Sequence, residues 1–215
     1  MENIEPSRSI GTEKTRSFEW LTAILISAFS INSVIYFIYV SPYLAISSDA
    51  RSAHISHGPW FLIHVIGGGT ALFVGPWMFW SGLKERRMNL HRIIGKVYLI
   101  AGSIGVVGGM VISAMGVHEP QSFGISTFTL GLVWLICGAM AYRSIRNWQV
   151  EQHREWMIRN FALTITFVTC RIVGKIPAFG YLGAEAVTAI IWMNWVLTLF
   201  FAEVAIQWRK TRAIN

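Results

Sequence analysis

The sequence predicts an all-α integral membrane protein with six transmembrane helices, a central bundle of helices two to five, and both termini in the cytoplasm. Three observations predict it. Of the 215 residues, 53% are hydrophobic and only 13% are charged, against roughly 25% charged in an average soluble chain. Six runs approach or exceed the roughly 20 apolar residues that cross hydrocarbon: residues 20–40, 60–80, 93–115, 123–142, 161–176 with an amphipathic start at Trp156, and 186–208. The third observation is the placement of the basic residues. Arg8, Lys14 and Arg16 precede the first run, and Lys84, Arg86, Arg87, Arg92 and Lys96 surround the second connection. Arg143, Arg146, Arg154 and Arg159 flank the fourth, and Arg209, Lys210 and Arg212 follow the sixth. Threading six spans puts all of these on one side, which the positive-inside rule assigns to the cytoplasm.

The net charge of +7 therefore reads as topology and makes no case for nucleic acid. The lipid bilayer is the expected partner, in a membrane of the bacterial inner (cytoplasmic) type. Residues 1–19 are polar and read as a cytoplasmic segment without a cleavable signal, so the first run is expected to stay as an anchor. Cys137 and Cys170 fall at different depths of separate spans and read as buried free thiols. Neither low complexity nor an internal repeat stands out, and one domain over 1–215 accounts for the chain.

In order, span one carries Asn32 and Ser33 and ends in Tyr36, Tyr39 and Tyr43, an interfacial belt closed by Pro42. An external loop with Asp49, Arg51, His54 and His57 leads to Gly58-Pro59, and proline suits the first turn of the next helix. Within span two, Pro76 removes an N–H that the carbonyl of Leu72 would use, which predicts a kink. His57, His64, Gly68, Ala71 and Gly75 recur at helical spacing on one face. Span three repeats the pattern with His91, Gly95, Tyr98, Gly102, Gly105 and Gly109. Such a glycine stripe suits a helix-packing seam and also a flat cofactor.

Span four has Ser126, Thr127 and Thr129 toward its outer end. Span five is the most pointed, because His153, Met157, Asn160, Thr164, Phe167 and Arg171 share one face and make it polar through most of the membrane. An arginine inside a span is expensive and by default marks function; snorkelling or pairing with Glu185 is the alternative. Span six carries Asn194, at a depth similar to Arg171, and Glu203 near the inner end, where pairing with a basic residue is expected.

The segments LIHVIGGGTALFVGP, LHRIIGKVY and HREWMIRNFALTITFVTCR resemble the bacterial multi-pass membrane proteins grouped as domain of unknown function 2306. The resemblance runs from His57 to Arg171 and is carried by His64, Gly75, Pro76, His91, Arg92, Gly95, Tyr98, His153, Arg154, Trp156, Met157, Arg159 and Arg171. It implies a fold and no settled activity. A weaker, architectural similarity is to di-haem cytochromes of the b-561 type, which pair histidines of helices two and four at one face and three and five at the other. By that similarity His91 and His153 would form one pair, and His57 or His64 with His118 the other. His118 in a short loop and His153 before its apolar run depart from it.

Two polar clusters follow from this topology. An outer one gathers His57, His64, Arg171 and Asn194; an inner one gathers His91, Arg92, His153, Arg154 and Arg159. Neutral histidines ligate haem iron and arginines pair with propionates. The leading expectation is thus a redox cofactor, haem b or a quinone, serving electron transfer in a membrane oxidoreductase whose donor and acceptor the sequence does not name. His57, His64, His91, His153 and Arg171 are its expected cofactor contacts. Arg92, Tyr98, Arg154, Arg159 and Asn194 are expected to meet an anion or substrate. The alternatives are a carrier or sensor of a small anion or lipid headgroup, which arginines and titratable histidines would suit, and a zinc enzyme, which lacks an HExxH-type signature here. A purely structural bundle with histidines at its interfaces is the remaining possibility.

Overall fold

The computed structural model describes residues 58–82, 87–115, 121–174 and 183–214. Among them are five helices: α1 Pro59–Gly82, α2 Met88–Ala114, α3 Gln121–Arg146, α4 Val150–Gly174 and α5 Gly183–Ile214. Four of these, α1, α2, α3 and α5, are long and apolar enough to cross a membrane. The expected first span (20–40), the termini and the loop expected to be external before α1 lie outside the described residues.

The helix surfaces are inverted relative to a soluble protein. Ile93, Ile100, Ile125 and Phe201 are more than 60% exposed, while Asn160, Thr166, Ser81 and Ser126 are almost wholly buried. Water would penalise that outer surface; hydrocarbon does not.

Helices α1 to α4 form the bundle, with α1 against both α2 and α4, and α5 packs on α3 and α4. The closest crossing is α1 on α2, and glycines make it. A Cβ on Gly67 would lie 2.5 Å from the carbonyl oxygen of Ala101, and one on Gly105 would lie 2.5 Å from the amide nitrogen of Gly68. The stripe on α2 is therefore a packing seam at Gly105 and Gly108, where two backbones meet. Helix α1 continues through Pro76.

A three-residue turn joins α3 to α4 and forces them antiparallel. Its Trp148 takes a left-handed φ of 61°, uncommon for a bulky residue, while the Gln149 amide donates to the carbonyl of Ser144. Helix α4 starts well before the apolar run, and its charged first half is explained by α5. Glu155 pairs with Lys210 at 2.9 Å, Glu151 with Arg209 at 2.8 Å, and Arg159 with Glu203 at 2.7 Å. Glu203 thus has the basic partner expected of it. Cys137 and Cys170 are free thiols, the first buried.

Candidate functional site

Two histidines converge at the basic end of the bundle. His91 stands in the first turn of α2 and His153 in the first turn of α4. Their ring centres are 6.4 Å apart with planes at 85°. Each ring is oriented by the helix that precedes its own. His91 Nδ1–H donates to the carbonyl of Met78 on α1 at 2.9 Å, and His153 Nδ1–H donates to the carbonyl of Ala141 on α3 at 2.9 Å. Because a carbonyl only accepts, both bonds place a proton on Nδ1, so Nε2 is the nitrogen left to face a ligand. Gly82 admits the first contact, since a Cβ there would come within 2.9 Å of the His91 ring.

His153 precedes the apolar part of α4. Burial holds its pKa below the ordinary histidine value; the Ala141 carbonyl opposes this and nearby His91 adds to it. Half-buried, it is kept neutral, as a metal-ligating imidazole must be.

Two turns deeper lies a closed polar network. Tyr98, fully buried, donates to Asn160 Oδ1 at 2.7 Å and meets the Thr164 hydroxyl at 2.8 Å. Trp134 Nε1–H donates to Thr164 at 2.9 Å, and the Asn160 amide donates to the Trp134 carbonyl at 2.8 Å. These bonds satisfy the groups within the bundle. Tyr98 is therefore a core residue sealed from solvent.

The other expected residues divide. Arg92 and Arg154 are exposed beside the two histidines. Arg154 bonds Glu151 at 3.0 Å, and no salt bridge to Arg92 occurs among the described residues. Arg159 is held by Glu203 and lies over the Trp156 ring at 4.8 Å. His64 is not part of this end: its Nδ1–H donates to the Gly105 carbonyl at 2.9 Å, inside the α1–α2 seam. Asn194 bonds back to Ile190 of its own helix. His57, His118 and the Arg171 side chain lie outside the described residues, so the outer cluster is represented by His64 and Asn194. Sequence reading missed Trp134 and the two accepting carbonyls. Backbone acceptors carry no sequence signal, and Trp134 resembles any other apolar residue of its helix.

A family model described as "Predicted membrane protein (DUF2306)" matches residues 61–206, more than half of the chain. The chain belongs to this family. In this DUF2306 protein the matched region holds all five described helices but for the ends of α1 and α5, and includes both paired histidines. No curated protein and no solved structure matches the chain.

Proposed function

We propose that this DUF2306 protein is a membrane redox protein that binds one b-type haem at the basic, cytoplasmic end of its bundle, with His91 and His153 as the iron ligands. The observation that carries the reading is the paired imidazoles, each fixed by a carbonyl at Nδ1 so that Nε2 is left to face a ligand. Metal-ligating histidines characteristically donate their other ring N–H in this way.

Spacing is compatible. The two rings are close enough to share one ligand, their centres being 6.4 Å apart. A pair also fits haem better than a bare metal ion. Among the described residues no group of three or more histidine, cysteine or acidic side chains is assembled that could hold a metal ion, whereas a porphyrin brings four nitrogens of its own. Gly95, one turn above His91, is a lightly packed position, where a Cβ would meet only Met78 Cγ, at 4.0 Å. Arg92 and Arg154, exposed and each next to a histidine in the chain, would supply cations for propionates. The haem would supply one-electron chemistry; the chain would supply the two ligands and fix their orientation.

The test is haem and metal content of protein purified from haem-replete membranes. One haem b per chain is expected. A colourless protein, or one with stoichiometric zinc, would defeat the reading. A second reading rests on a separate observation: Arg92, Lys96 and Arg143 are exposed at the same end and make no salt bridge among the described residues. On that reading the end binds an anionic headgroup, and the protein is a carrier or sensor.

A further inference from the structure

Hairpins α1–α2 and α3–α4 contain the same features in the same order. Gly75 and Gly138, Ser81 and Ser144, His91 and His153, and Arg92 and Arg154 are identical pairs 62 or 63 positions apart. The same interval of 62 separates Tyr98 from Asn160. Helices α1 and α3 start 62 residues apart, as do α2 and α4. The local contacts match as well. Each histidine donates Nδ1–H to the preceding helix, over a sequence separation of 13 in one hairpin and 12 in the other, and each bond is 2.9 Å.

Contacts between the hairpins are mirrored too. Across the interface, the space at Gly75 is filled by the Phe161 ring, and the space at Gly138 by Leu99; within each hairpin the neighbours are Tyr98 and Asn160 respectively. Phe161 and Leu99 are themselves 62 positions apart. Two residues, moreover, touch their own counterparts: His91 faces His153, and Tyr98 bonds Asn160. A residue meets its own equivalent only on a two-fold axis. Two such meetings, about 10 Å apart along the helices at 1.5 Å per residue, make that axis run along the bundle.

We infer that α1–α2 and α3–α4 are two copies of one hairpin related by an approximate two-fold axis along the bundle, and that the site at its basic end is an on-axis site to which each copy supplies one equivalent imidazole. Parallel repeats of this kind place their ligands at the repeat interface. Resting on the haem reading above, this deepens it: the ligand is one whose two faces are chemically alike, as those of a planar macrocycle around iron are. It also limits the number of sites. The counterpart of His64 is Thr127, so the symmetry gives His64 no imidazole partner, and one haem per chain is expected where a di-haem arrangement would hold two. Symmetry is broken where Trp134 replaces Ala71 and reaches over Gly102 of the other hairpin.

Residue swaps across the axis test the equivalence without any cofactor. In haem-free protein in detergent, the apparent Tm is measured for Tyr98→Asn, Asn160→Tyr and the double swap, and for Leu99→Phe, Phe161→Leu and their double swap. The second set conserves total apolar volume and covers the case in which a polar single variant fails to fold. Each double swap is expected to recover at least half of the Tm lost by summing its singles. Swaps no better than those sums in both sets overturn the equivalence. Recovery in protein that never binds haem leaves the repeat standing and removes only the haem reading; haem binding without recovery does the reverse.

Discussion

His91 and His153 face each other across the bundle with ring centres 6.4 Å apart, each tethered through Nδ1 to a carbonyl of a different neighbouring helix. Four helices thus fix one pair of rings. Their orientation is set by backbone atoms, which no side-chain substitution removes, and by the space that Gly82 leaves.

Keeping His153 neutral in a half-buried setting has a pH consequence. Its folded pKa lies below the unfolded value of about 6.5. As pH falls below that value the unfolded chain takes up a proton before the folded one, so the unfolded state binds more protons and stability declines with acidification. Its contribution is complete above the unfolded pKa and is lost as pH falls toward the folded one. Apparent Tm of the haem-free protein should drop between pH 7.5 and 5.5, and less so in His153→Gln. An identical slope in the variant would contradict the assignment.

Tyr98→Phe removes the hydroxyl that donates to Asn160 Oδ1 and meets Thr164, leaving a buried amide oxygen without its donor. The expected cost is about 1–3 kcal/mol, read as a lower denaturation midpoint. Thr164→Val, which also deprives Trp134 Nε1 of its acceptor, should cost a similar amount, and the pair together less than the sum because they share one network. Additive losses would mean that the network does not act as a unit.

At the α1–α2 seam, Gly105→Ala sets a methyl against backbone, where no rotamer change relieves it. Overpacking of this kind costs about 1–3 kcal/mol. Gly68→Ala, whose Cβ would meet nothing within 4 Å, should be tolerated. Equal destabilisation by the two, measured by thermal unfolding in detergent, would put the seam elsewhere.

Much of this arrangement was legible in the sequence. The spacing of Met157, Asn160 and Thr164 marked the inward face of α4, and all three are buried. The convergence of His91 and His153 followed from two stripes beginning at the same end. The glycine stripe left packing and cofactor binding open, because a missing side chain looks the same in either role; at Gly105 the close backbone approach marks packing. The repeat escaped notice because the hairpins share few letters: Tyr98 answers to Asn160 and Ala71 to Trp134, pairs linked by position and not by chemistry. The polar start of α4 likewise made sense only once α5 supplied Lys210 and Arg209 as partners for Glu155 and Glu151.

The most direct measurement is the visible absorption spectrum of the purified wild type beside His91→Ala, His153→Ala and the double variant, normalised to protein. The account predicts a b-type haem spectrum in the wild type and the same large loss in each single variant. The double variant should lose no more, because one ligand pair holds one cofactor. Full retention of haem in both single variants, or a wild type that never binds it, would contradict the account.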